Sequence, residues 1–226
     1  MSKEVFYKVL DAKGCPIYGT GKWNLPRGKH PGAWMPHREP VLCESGYHGC
    51  RRDHLVEWLN ARIFTMETRG ELIEGDNKIV AAEARLVREF KTWNERTARL
   101  FAADCAERAL RREKRAGRNP HPDSWTAIKA ARAFANDKIS ADDLSAGWAA
   151  ASAAARDTGA AAWAAASAAA CSARAAAWSA RAAAWDARDA AWDARAAAWD
   201  ARDAAWDAER AWQTCRLFEY LEGKRG

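Results

Sequence analysis

The stretch that decides the predicted fold reads AAAWDARDAAWDARAAAWDARDAAWD, over residues 182–207. A tryptophan recurs every seven residues, and an arginine keeps a fixed place within each repeat. Alanine is the strongest helix former, and neither Pro nor Gly interrupts residues 160–221. The sequence therefore predicts one long helix, about 90 Å in length at ~1.5 Å per residue.

The seven-residue period predicts how this helix is buried. A repeat of 3.5 residues per turn keeps one stripe facing a partner, as in a left-handed coiled coil. With Trp at heptad position d, each Arg falls at g and an Asp follows five residues later at e. Side chains at that spacing can pair between parallel helices in register, but not within one helix. The sequence therefore predicts a parallel homo-oligomer, and its seam comprises Trp178, Trp185, Trp192, Trp199, Trp206, Arg181, Asp186, Arg188, Asp193, Arg195, Asp200, Arg202 and Asp207.

Two alternatives to this seam stay open. Heptad positions b, c and f are almost all alanine, so the alanine face could be the buried one, with the Trp side facing another partner. Gly147 and residues 157–159 could also break the helix into a hairpin. The Trp seam is the preferred interpretation, because large aromatic side chains at this spacing leave water most readily by meeting another chain.

Residues 1–140 have the mixed pattern of a small α+β domain. Apolar runs predict strands at residues 5–10, 41–43, 63–68 and 78–90, with turns at Gly70 and at residues 75–77. A T-x-x-E pattern at Thr92 and Glu95 predicts a helix that begins at Trp93, and further helices follow Asp123 and Ser140. The predicted fold class is α+β, a small strand-plus-helix domain followed by a long Ala/Trp heptad-repeat helix, coiled-coil-like or a helical hairpin. The predicted divisions are a basic head domain over 1–140, an Ala/Trp/Arg/Asp-rich repeat over 141–222 and a basic tail over 223–226.

The charge is concentrated in the first part of the chain. Residues 1–140 contain 26 Lys and Arg against 18 Asp and Glu, whereas residues 141–226 contain 10 against 12. A basic surface of this kind favours an anionic partner, a nucleic acid or an acidic face of another protein, although it also serves ordinary solubility.

The densest group of metal-ligand residue types is Cys43-x4-His48-x-Cys50-x3-His54. Thiolates and imidazoles suit zinc, and four of them can complete a tetrahedral site. The spacing does not match a standard zinc motif, and packed Cys and His side chains are the plainer interpretation. The same four residues could instead serve a thiol-dependent enzyme, whereas no glycine-rich phosphate loop is present.

The beginning of the sequence and its hydropathy predict a location. Met-Ser-Lys-Glu-Val has no apolar signal core, and no run is apolar enough to predict a membrane span. We therefore expect a protein of the cytoplasm, with no membrane partner and with its six cysteines reduced.

Three segments carry a resemblance to a known group of proteins: residues 42–50 (LCESGYHGC), 6–10 (FYKVL) and 92–101 (TWNERTARLF). The chain resembles hypothetical proteins of actinobacterial phages, in which a domain of unknown function with a CESGYHGC-type motif precedes an Ala/Trp-rich repeat. The resemblance implies a phage or mobile-element accessory protein acting in a bacterial host, and it brings no site residues.

Three functional hypotheses follow. The preferred one is a non-enzymatic interaction protein that self-associates through the repeat and presents its N-terminal domain to a host or phage partner. The first alternative is a nucleic-acid-binding protein that uses the basic head domain. The second is a zinc- or thiol-dependent enzyme centred on Cys43, His48, Cys50 and His54.

Overall fold

The computed structural model describes residues 4–145, 188–193 and 203–226, without the side chains of residues 203–206. The chain divides into two compact units, Met1–Trp93 and Asn94–Gly226. The predicted division into residues 1–140, 141–222 and 223–226 stays a prediction, because much of the repeat lies outside the described residues.

The first unit is built on one curled antiparallel sheet of four strands. The strand order is β1-β3-β4-β2, and a 3-10 helix follows β2 in the sequence. The core beneath the sheet is largely aromatic and aliphatic, with Phe6, Leu10 and Phe64 among its members. The bounds are Phe6–Leu10 (β1), Tyr47–Gly49 (β2), Arg52–Trp58 (3-10 helix), Arg62–Glu74 (β3) and Ile79–Glu89 (β4).

The two outer strands of this sheet meet and turn it into a half-barrel. Tyr7 in β1 and Cys50, just after β2, exchange two backbone hydrogen bonds of 2.9 and 3.0 Å. Curvature comes from strand twist and from two irregularities in the β3–β4 pairing, at 65/66 and at 69/72. Gly70 lies at the second irregularity with φ of +75°, so it is a bulge within β3 and not the predicted turn.

The predicted strand at residues 41–43 is a tight turn. The backbone N–H groups of Glu44 and Ser45 both donate to the carbonyl of Val41, which closes the chain on itself. Further upstream, the loop at residues 32–38 runs along β4 and donates hydrogen bonds to the carbonyls of Leu86, Ala84 and Ala82. The loop therefore covers the part of the β4 edge that β2 does not reach.

The second unit is helical. Asn94 caps the first helix, because its side chain accepts from the N–H of Thr97 while the Thr97 hydroxyl accepts from the N–H of Asn94. The capping box therefore begins at Asn94, and not at the predicted Thr92. Ser140 and Asp143 cap a helix that begins at residue 141, as predicted. The bounds are Glu95–Arg115 (α1), Pro122–Ala135 (α2) and Asp203–Leu221 (α3).

The predicted long heptad-repeat helix and its coiled coil are wrong. The side-chain amide of Gln213 donates to the carbonyl of Ala191 at 2.8 Å. In one continuous helix these residues would be about 33 Å apart, at ~1.5 Å per residue. Within the described residues the longest helix is α1, with 21 residues, and α3 has 19 residues.

The physical reason for this error is visible in the described segment 188–193, where the alanines and not the tryptophan are buried within the chain. Ala190 and Ala191 are completely buried, whereas Trp192 is 57% exposed. A strict seven-residue repeat shows which residues lie along one side of a helix, but it does not show which side of the helix is buried. Among the predicted seam residues, Arg188, Trp192 and Asp193 lie in the helical segment 188–193, Trp206 and Asp207 lie in α3, and Trp178, Trp185, Trp199, Arg181, Asp186, Arg195, Asp200 and Arg202 lie outside the described residues.

Candidate functional site

A cleft of about 730 Å³ opens in the first unit beside β1 and β2. Its walls come from both strands, from the loop at residues 16–23 and from the tight turn at residues 43–46. A volume of this size is typical of sites for small ligands. The half-barrel positions the cleft, because closure at Tyr7 and Cys50 brings residues from distant parts of the sequence to one place.

Lys8 is the unusual residue of the cleft. It stands on the same face of β1 as Phe6 and Leu10, two members of the core. Its ammonium donates to the carbonyl of His48 at 2.7 Å and lies 5.1 Å from the centre of the Trp23 ring. Burial lowers the pKa of Lys8 to about 8, and the nearby Cys50 opposes the shift.

Cys43 and His48 meet at the mouth of the cleft. Cys43 has φ of +67°, a left-handed conformation that is strained for a residue with a Cβ. Its backbone N–H donates to Nε2 of His48 at 3.0 Å, so that nitrogen carries no proton. Burial, followed by the charges of Lys8 and Lys78, lowers the pKa of His48. The imidazole is therefore neutral at neutral pH.

Lys78 completes this group. Its ammonium donates to Sγ of Cys43 at 2.9 Å and lies 5.9 Å from the centre of the Trp58 ring. The ammonium groups of Lys8 and Lys78 both act on His48 electrostatically. Three groups that can carry positive charge thus converge at one end of the cleft.

Aromatic side chains form the rest of the lining. Trp23 and Tyr47 pack edge to face with ring centres 5.5 Å apart, and the Tyr47 hydroxyl donates to the carbonyl of Pro36 at 2.7 Å. Arg38 lies 5.5 Å from the centre of the Tyr47 ring. Tyr18, at the rim, is 71% exposed and offers a bare aromatic face. The floor is therefore rigid, and the rim provides a surface for stacking.

The charges of the lining are strongly unbalanced. In the part of the chain that the structure describes, its four cationic residues form no ion pair with a carboxylate. Three arginines elsewhere on the sheet are paired, among them Arg62 with Glu89 at 2.6 Å and Arg85 with Glu67 at 2.6 Å. Among the described residues, the lining holds one carboxylate, Glu44, against the cations Lys8, Lys22, Arg38 and Lys78.

The four residues of the predicted zinc site do not form one group. Cys43, His48 and Cys50 line the cleft, but the Cys50 thiol is directed at the carbonyl of Tyr7, 3.8 Å away, and burial raises its pKa. His54 lies in the 3-10 helix, with Nδ1 3.4 Å from Glu57. Among residues 4–145, 188–193 and 203–226, no three His, Cys, Asp or Glu side chains are grouped so that they could hold a metal ion. The zinc hypothesis receives no support from this geometry.

Sequence reasoning missed Lys8 and Lys78. A signal for Lys8 was present, because it is the one charged residue in the strand FYKVL and alternates with apolar residues of the core face. No local signal identified Lys78, whose side chain reaches Cys43 across 35 residues of sequence.

No family model, curated protein or solved structure matches this chain. Among the described residues, no helix is both long enough and apolar enough to cross a membrane.

Proposed function

We propose that the first unit binds a nucleotide in this cleft, either as a free molecule or as the phosphorylated end of a nucleic-acid strand. The observation that carries the proposal is the ammonium of Lys8, which donates to the carbonyl of His48 and forms no ion pair with a carboxylate among the described residues. Burial of a cation without an anionic partner is costly even when it donates to a carbonyl, and an anion that enters the cleft offsets this cost.

The chemistry of the lining favours a phosphate that carries an aromatic ring. Lys8 and Lys78 supply charged donors for phosphate oxygens at one end of the cleft. At the rim, the exposed ring of Tyr18 can stack on a base, a contact that every base can make. This activity is binding and not catalysis. It develops the hypothesis of a nucleic-acid-binding basic domain.

The accessory role in a bacterial host, the cytoplasmic location and self-association stay predictions. A unit that binds nucleotides is compatible with an accessory role, because it would bind a nucleotide of the host or the end of a host nucleic acid. Molar mass by light scattering tests self-association independently of ligand binding.

The experiment is calorimetric titration of the full chain with adenosine monophosphate and with a short oligonucleotide bearing a 5′-phosphate. We expect Lys8→Met and Lys78→Met each to weaken binding tenfold or more, the loss of one charge-assisted hydrogen bond. Lys13→Met is the matched control, since Lys13 is exposed, lies in the same unit and does not line the cleft. The ligand that binds with the higher affinity shows whether the cleft prefers a free nucleotide or the end of a nucleic-acid strand.

Proton uptake provides a second readout of the same experiment. A bound phosphate stabilises the charged forms of Lys8 and His48, whose pKa values are both lowered by burial. Binding at pH 7.5 should therefore take up protons, seen as a dependence of the binding enthalpy on the ionisation enthalpy of the buffer. Absence of binding at millimolar concentration, or equal affinity of the Lys8 variant and the control, contradicts the proposal.

A further inference from the structure

Lys8 combines an amine that lines the cleft with surroundings that disfavour its charge. A small molecule in the cleft can reach its nitrogen, because the side chain forms part of the wall. The ammonium contacts the His48 carbonyl at 2.7 Å and the Trp23 ring at 5.1 Å, and no carboxylate among the described residues pairs with it. Lysine amines in enclosed places of this kind are the ones that act as nucleophiles in proteins.

The uncharged form of the Lys8 amine is well populated near neutral pH. Burial lowers the pKa of Lys8 to about 8, whereas the ordinary value is 10.5. At pH 7.5 about one quarter of the Lys8 amines are therefore uncharged, against about one in a thousand for a lysine of ordinary pKa. Since only the uncharged nitrogen has a free lone pair, the cleft presents a reactive amine that an ordinary surface lysine does not.

We propose that Lys8 captures an aldehyde that carries a phosphate group, by reversible formation of an imine. The lone pair of the Lys8 amine attacks the carbonyl carbon, and the resulting carbinolamine then loses water to form the C=N bond. That water contains the aldehyde oxygen and the two hydrogens of the amine. The reaction changes no oxidation state, so it needs neither an oxidant nor a reductant.

The surroundings of Lys8 also suit the product. A protonated imine keeps one N–H, and the His48 carbonyl that accepts from the ammonium can accept from this group as well. The carbonyl belongs to β2, whose pairing with β4 fixes its position. The Trp23 ring, with its centre 5.1 Å from the nitrogen, favours the positive charge of the protonated imine. The imine nitrogen can therefore stay where the amine nitrogen lies.

The phosphate part of this inference rests on the proposed function. Lys78 provides the second ammonium at this end of the cleft, and its contact there is the Cys43 thiol, a weak acceptor. The ammonium groups of Lys8 and Lys78 both act on His48. A phosphate bound by Lys78 and an aldehyde carbon bonded to Lys8 can thus belong to one small molecule.

The experiment is imine trapping on the full chain with one equivalent of pyridoxal 5′-phosphate at pH 7.5. Cyanoborohydride reduces the imine to a stable secondary amine, and peptide mass mapping locates the label on each amine, including that of the N-terminus. Allowing for the weaker nucleophilicity of an amine with a lower pKa, we expect Lys8 to carry about tenfold more label than any other lysine. In urea this preference should vanish, because it depends on the fold. Label spread evenly over the lysines of the folded chain would overturn the proposal.

Two variants and a second aldehyde distinguish this site from general reactivity. Lys8→Met should lose the excess label, whereas Lys13→Met, at an exposed position outside the cleft, should keep it. The same labelling of both variants would overturn the proposal. The second aldehyde is 5′-deoxypyridoxal, which lacks the phosphate and should label Lys8 about tenfold less, the loss of a charge-assisted contact.

The outcomes also separate imine capture from nucleotide binding. Equal labelling of Lys8 by the two aldehydes would overturn the phosphate part of the inference and would count against the nucleotide site as well. No label at Lys8, in a chain that binds adenosine monophosphate, would overturn imine capture and leave nucleotide binding intact.

Discussion

Replacement of Lys8 by methionine tests the origin of its lowered pKa. The pKa of Lys8 falls from 10.5 to about 8 on folding, so between these values the unfolded chain binds more protons than the folded chain. Stability therefore rises with pH across this window, and the cost of the buried charge is fully present below pH 8. At ~1.36 kcal/mol per pKa unit, the free energy of unfolding gains about 2.5 kcal/mol between pH 7 and pH 10 from Lys8 alone.

The assay is urea denaturation of the wild type and of Lys8→Met, followed by circular dichroism at pH 7, 8, 9 and 10. The two proteins contain the same other titrating groups. The pH dependence of the difference between their free energies of unfolding therefore comes from Lys8. Methionine keeps the apolar stem of the side chain and removes the ammonium together with its hydrogen bond to the carbonyl of His48, a loss that does not depend on pH over this range. We expect the wild type to gain about 2 to 3 kcal/mol relative to the variant over this range. Lys13→Met, at an exposed position, should show no such change. A difference between wild type and Lys8→Met that stays constant with pH would refute the reasoning.

Three further substitutions test other parts of the structure by the same urea assay. Cys43→Gly should stabilise the chain by about 1 kcal/mol, because glycine removes the left-handed strain, whereas Cys43→Ala, which keeps the Cβ, should show no gain. Asn94→Ala should destabilise it by about 1 kcal/mol through loss of the α1 cap; an unchanged midpoint would contradict the capping geometry. Glu209→Gln should lower the free energy of unfolding by about 3 kcal/mol, because Glu209 is 1% exposed and pairs with Arg108 and Arg112. Glu219→Gln, which removes a partly exposed pair, should lower it by less than ~1 kcal/mol.

The sheet could largely be predicted from local signals. Apolar runs identified β1, β3 and β4 to within a few residues, except that β3 continues through Gly70. A glycine in a strand pattern fits both a turn and a bulge, and only pairing with β4 decides between them. The tight turn at Cys43 was missed because a cysteine rarely adopts positive φ.

The repeat misled the prediction because its two faces are both apolar. Trp192 suggested a buried seam, yet the neighbouring Ala190 and Ala191 are the buried residues. Alanine side chains are small and allow helices of one chain to approach closely. The hydrogen bond from the side chain of Gln213 to the carbonyl of Ala191 joins residues that are 22 positions apart in the sequence. Periodicity reports the geometry within a helix, whereas this contact is tertiary.

The candidate site was only partly visible in the sequence. The motif around Cys43 and His48 drew attention to the correct turn, and the two residues do contact each other. The chemistry predicted for this motif was wrong. The charges that define the cleft belong to Lys8 in β1 and to Lys78, the residue just before β4. These residues become neighbours only when the sheet closes.

The closure between Tyr7 and Cys50 also has a consequence for biosynthesis. β1 pairs with residues 62–66 of β3. This pairing cannot form during synthesis until residues 62–66 have left the ribosome. Loop closure over such a separation is slow compared with formation of the β3–β4 hairpin. A nascent chain therefore acquires the cleft around Lys8 late, and a chain arrested before residue 62 lacks the strand pairing that forms it.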